Sequence, residues 1–190
     1  MRKFVIISAF AALFASCREQ HREINVTETR DLTLYDKTYL NSLDAKVPMG
    51  WRRLPGTEFR LLNYVAGKDD SVQIVLGVSQ GEVLANANRW LGQFGLTPLI
   101  SLDYLGKSEC LGQLVYLVEA DGDYTPGMGQ PPGKGYSLIG AIQRSEGNIT
   151  IKMTGPTEEV EKQRQSFYDF MQGLEISSVK KIASAEPKES

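Results

Sequence analysis

Asn148–Gln172, NITIKMTGPTEEVEKQRQSFYDFMQ, changes period half-way and decides how the rest of the chain is read. Asn148–Met153 reads as a strand, and Thr154-Gly155-Pro156 ends it, because glycine and proline interrupt regular structure. From Thr157 to about Gln172 the apolar residues Val160, Phe167, Phe170 and Met171 return at helical spacing. Glu158 and Glu159 fall in the first turn of that helix, where its dipole favours negative charge. Upstream, Tyr136–Gln143 (YSLIGAIQ) and Gln113–Ala120 (QLVYLVEA) read as two more strands with no helix between any of the three.

The remaining elements extend the same succession. Val47-Pro48-Met49-Gly50-Trp51 opens with a turn, and Trp51–Leu54, Phe59–Val65 and Val72–Val78 read as strands, the last two joined through Gly67-Lys68-Asp69-Asp70. Residues 82–94 read as a helix, with Leu84, Ala87, Leu91 and Phe94 on its inner face and Gly95 stopping it. Ser101–Leu105 reads as a short helical turn, Ser108–Leu111 as strand-like, and Leu174–Ile176 as a closing strand. Consecutive strands predict an α+β domain over 46–178: a mainly antiparallel sheet of six to seven strands with two main helices packed on it. A doubly wound parallel sheet would place a helix after nearly every strand.

The N-terminal segment points to export. Met1-Arg2-Lys3 is positive, Phe4–Phe14 is apolar apart from Ser8, and Ala15-Ser16 are small, which is the order of a secretory signal over 1–16. The apolar run is far shorter than the roughly 20 residues a spanning helix needs. Phe14-Ala15-Ser16-Cys17 resembles the lipobox of bacterial lipoproteins, with phenylalanine where leucine is usual. The resemblance implies cleavage before Cys17, a palmitate-bearing N-terminus at that cysteine and a membrane as partner. Arg18 in place of aspartate points to the outer membrane in the enterobacterial sorting pattern. Polar residues 17–45 read as a tether with a short strand at Leu32–Tyr35, and 179–190 as a disordered tail.

Charge and cysteine usage narrow the chemistry. Loss of Arg2 and Lys3 takes 21 basic side chains to 19 against 23 acidic ones, so no nucleic-acid partner is expected. Lipidation of Cys17 leaves Cys110 without a disulfide partner, and its apolar context reads as a buried structural thiol. The single histidine, His21, lies in the tether, which rules out a histidine-based triad in the domain. No metal site, catalytic set or cofactor is expected.

Two stretches remain as candidate sites. Asn86, Arg89 and Gln93 share one helical stripe beside Trp90. Their donors and acceptors suit a carboxylate, a sugar or a partner's backbone; equally, they suit a polar network with Trp90 in the core. Asp121–Gly135 (DGDYTPGMGQPPGKG) is rich in glycine but lacks phosphate-loop spacing, and it lacks the remaining acidic positions of a calcium loop. It reads as a hairpin tip available for partner contact.

Three clusters carry a further resemblance: Gly50–Pro55 (GWRRLP), Leu84–Gln93 (LANANRWLGQ) and Lys152–Pro156 (KMTGP). Together they are similar to a family of uncharacterised bacterial lipoproteins, and the order of elements resembles the PsbP-like α/β/α sandwich. That resemblance implies an interaction or assembly role. The expectation is thus a lipid-anchored, non-catalytic binding or assembly module of the cell envelope, with an envelope protein or small ligand as partner. The alternatives are a small-molecule or glycan-processing enzyme using carboxylates such as Asp121 and Asp123, or a purely structural envelope protein.

Overall fold

The computed structural model describes residues 43–57, 59–127, 131–144 and 148–176. The signal segment, Cys17, His21, the strand expected at Leu32–Tyr35 and the tail lie outside the described residues. In chain order the strands and helices are β1 (Leu43–Ala45), β2 (Arg52–Arg53), β3 (Leu62–Ala66), β4 (Val72–Ser79), α1 (Val83–Gly92), β5 (Gly106–Cys110), β6 (Gln113–Tyr124), β7 (Gly133–Gln143), β8 (Asn148–Pro156), α2 (Thr157–Gln172) and β9 (Leu174–Ile176). Strands β2-β3-β4-β8-β7-β6-β5 form one sheet in that order, and every neighbouring pair is antiparallel. This is the α+β class that the strand succession predicts, with seven strands in the main sheet and two α-helices among the described residues.

Strand β8 is central, and its two sides differ in kind. Ile149, Ile151 and Met153 are buried under α2; Ile151 and Met153 stand in register with Leu76 and Ile74 of β4 and with Ala141 and Ile139 of β7. Helix α2 contributes Val160, Phe167, Phe170 and Met171, the four residues the periodicity assigns to its inner face. Trp51 joins this layer: its ring lies 5.1 Å from that of Phe170, and its indole N–H donates to Gln163 Oε1 at 2.9 Å. Each fully buried phenylalanine contributes about 1.5–3 kcal/mol relative to exposure.

Helix α1 packs on the opposite face, over β6 and β7, with Tyr116, Val118, Leu138 and Ile142 beneath it. Its inner face is Val83, Ala87, Trp90 and Leu91, with Phe94 just beyond; Leu84 is only half-buried. The helix is rolled so that the large indole of Trp90 turns inward, a bigger apolar surface than Leu84 offers. A Cβ at Gly140 of β7 would strike that indole, so the ring lies directly on the strand.

Several boundaries differ from the expected ones. Phe59–Leu61, expected in a strand, instead belongs to a loop that folds back across the sheet edge. There the Phe59 carbonyl sits on Gly77, where no Cβ would fit, and Leu61 N–H donates to Leu76 O at 2.9 Å. Residues expected in the glycine-rich loop extend the hairpin, with β6 running to Tyr124 and β7 starting at Gly133 across a register shift between Gly122 and Tyr124. The pairing continues past the irregularity, so the glycines there do not end it. Leu43–Ala45, assigned to the tether, is paired with β9 in a separate two-stranded sheet. Cys110 is buried, and burial pushes its thiol up to about 12, so it remains a packed thiol.

Candidate functional site

Helix α1 covers the β6–β7 half of its face, and the β4–β8 half bears a cavity of about 260 Å³. The floor is set by strand alternation: Gln73, Val75 and Gly77 of β4 stand in register with Thr154, Lys152 and Thr150 of β8. Phe59 and Arg60 of the folded-back loop form one wall. Arg89 and Trp90 of α1, with Gln93 at its C-terminal cap, form another, completed by Tyr124 and Pro126 beyond the end of the helix.

The walls are tied to each other. Gln93 O accepts from Thr125 N–H at 2.7 Å, and Gln93 Nε2 donates to Pro126 O at 3.0 Å, which fixes the helix end to the hairpin. Asn86 is buried and outside the cavity lining; its Nδ2 donates to Gln80 O at 2.9 Å and Glu82 O at 3.1 Å. Its Oδ1 accepts from Arg89 Nη2 at 2.6 Å. Asn86 therefore positions Arg89 and anchors the helix start. Asn86 belongs to the polar network and Trp90 is buried, as the alternative reading of the stripe expects, while Arg89, Trp90 and Gln93 line the cavity.

Lys152 is the centre of the floor. Its Nζ donates to Gln93 Oε1 at 2.6 Å and to Tyr124 Oη at 3.3 Å. It also lies 5.2 Å from the Tyr124 ring centre and 5.6 Å from that of Trp90, within cation–π range. Burial, then the positive charges of Arg89 and Arg60, push the Lys152 ammonium down to about 8. No aspartate or glutamate is among the described residues lining the cavity. Burial raises the Tyr124 phenol, against a hydrogen bond with Thr154 and the charge of Arg60, so it stays a neutral donor and acceptor. Ser79, also in the lining, has a buried hydroxyl without a hydrogen-bond partner among the described residues.

No family model matches the sequence, and no curated protein does. Among solved structures the chain is similar to LpqN of Mycobacterium tuberculosis, a protein involved in cell envelope biogenesis. That match has 14% identity and a TM-score of 0.45, and covers 71% of this chain and 83% of the other. A second similar structure is the cyanobacterial PsbP, CyanoP, of Synechocystis, with 11% identity, a TM-score of 0.44, and coverage of 71% and 92%. Both are likenesses of fold.

Sequence reasoning named the helical half of the cavity and missed Arg60, Tyr124 and Lys152. The signal for Lys152 was present: Thr150, Lys152 and Thr154 alternate with Ile149, Ile151 and Met153, so one face of an interior strand is polar throughout. The carboxylates of the enzymatic alternative are elsewhere. Asp121 accepts a hydrogen bond from Ser137 on the α2 side of the sheet, in step with Glu119, which binds Arg164 and Tyr168 of α2. Asp123 is exposed, and neither aspartate lines the cavity. Among the described residues, no three of His, Cys, Asp and Glu gather into a metal-holding group.

Proposed function

We propose that the protein is an exported, lipid-anchored binding module of the cell envelope, with its ligand site in the cavity between β4, β8 and α1. The observation that carries this reading is the cavity's construction. Arg89, Gln93 and Lys152 come from two elements distant in sequence and are held by defined partners around one concave space. A concave space on which a few fixed polar groups converge is what small-molecule recognition uses. The anchor rests on the Phe14–Cys17 segment, which supplies the address and leaves the domain to supply the chemistry.

One experiment with two arms tests it. The full chain is labelled in cells with an alkyne palmitate, then dialysed after solubilisation against a small-molecule extract of the same cells. The wild type carries label that Cys17→Ala lacks. It also retains a compound, identified by mass spectrometry, that an Arg89→Ala/Gln93→Ala variant releases. Label persisting on Cys17→Ala sinks the anchor, and equal retention by the double variant sinks the cavity.

A further inference from the structure

The chain as a whole is acidic, with a net charge of −2, yet three of its cations converge on one cavity. The charged or titratable groups facing Lys152 are Arg89 from α1, Arg60 from the folded-back loop and Tyr124 from β6. None of them is a carboxylate, and the Tyr124 phenol is neutral. A cationic ligand would meet like charge from two sides. A neutral polar ligand could offer Lys152 a further acceptor beside Gln93 and Tyr124, but would leave the converging positive charge of Lys152, Arg89 and Arg60 without a counter-charge. An oxyanion supplies the missing counter-charge and accepts charge-assisted hydrogen bonds from both lysine and arginine. The rest of the lining argues for a body on that anion: Val75 lies beside Lys152 on the floor, and Phe59, 74% exposed, stands at the rim.

Resting on the cavity being a binding site, we infer that its ligand is a small organic oxyanion, a carboxylate or phosphate ester on a short apolar body. Lys152 and Arg89 hold the oxyanion, and Phe59 and Val75 meet the body. Because the free ammonium is depressed to about 8, an anion seated on it raises its affinity for protons. Binding near pH 8 therefore takes up a fraction of a proton. Affinity is level below pH 7 and falls as pH rises through 8, by at most about tenfold per unit, since one proton is involved.

Calorimetry on the full chain, with benzoate, phenyl phosphate, benzamide and benzylamine as probes, reads all of this. Benzoate and phenyl phosphate bind, while benzamide and benzylamine are at least about tenfold weaker, the size of one charge-assisted hydrogen bond. Lys152→Met loses benzoate by a similar factor, and Lys152→Arg restores it without the pH dependence. Heats at pH 8 differ between two buffers of unequal ionisation enthalpy. Displacement of phenyl phosphate by phosphatidic acid vesicles assigns the oxyanion to a lipid headgroup, and displacement by glycerol phosphate alone assigns it to a soluble ester. Benzamide or benzylamine binding as tightly as benzoate overturns the inference, as does binding of none of the four probes. A compound retained from the cell extract in either case would leave the cavity standing as a site for another chemistry.

Discussion

Strand β8 presents Ile149, Ile151 and Met153 to one layer and Thr150, Lys152 and Thr154 to the other, and the two layers have been put to different uses. Under α2 the packing is closed: Phe167 and Met171 have no exposed surface, and the rings of Trp51, Tyr64 and Phe170 lie within 5.9 Å of one another. Under α1 the helix is shorter and covers half the sheet, and the uncovered half gathers like charges around a lysine whose proton is held less firmly than usual. The first layer is filled along its length; the second is filled under α1 and open beside it. Polar groups that would be costly in a core are tolerated where a cavity admits a partner for them.

The contrast can be broken in graded steps. Phe170→Ala removes the ring that contacts both Trp51 and Tyr64, and should cost about 3–5 kcal/mol in urea denaturation. A loss under about 1 kcal/mol would mean that the α2 layer is no better packed than the other. Gly140→Ala drives a methyl group into the Trp90 indole, and should cost about 1–3 kcal/mol while shifting tryptophan emission. An unchanged spectrum and midpoint would show the cavity wall to be soft. Lys152→Met should change stability least, and in the opposite direction. The folded-state value of about 8 lies below the ordinary 10.5, so the ammonium's penalty is fully present below pH 8 and is relieved as pH rises toward 10.5. At pH 7 the variant should match the wild type or exceed it by up to about 1 kcal/mol, with the gap closing by pH 10. Destabilisation at pH 7 would mean that Lys152 supports the fold.

Which parts of this were legible in the sequence follows from the range of the interactions that fix them. Helix α2 could be bounded at Thr157 and Gln172 because its apolar period, its acidic first turn and the preceding Gly155-Pro156 are local signals that agree. The antiparallel class was legible for the same reason, since it needs only the succession of strands. Arg89 and Gln93 were found because helical spacing alone puts them on one stripe. Arg60 and Tyr124 reach the site through a folded-back loop and a lengthened hairpin, and neither is encoded by a local period. The Phe59–Leu61 stretch was read as a strand because it alternates well enough. Its position is set instead by Gly77, distant in sequence, which leaves room for a carbonyl where any other residue would put a side chain.

The small ribbon of β1 and β9 has a directional consequence. Leu43 faces Ile176, so the first and last of the described strands run side by side. Leu43, Ala45 and Leu174 pack into the α2-side core. Both ends of the domain are therefore fastened to the back of the sheet, while the cavity opens at the front. A pull on residue 43 would load the α2-side layer first and leave the cavity mouth with Arg89 and Phe59, on the other face, out of its path.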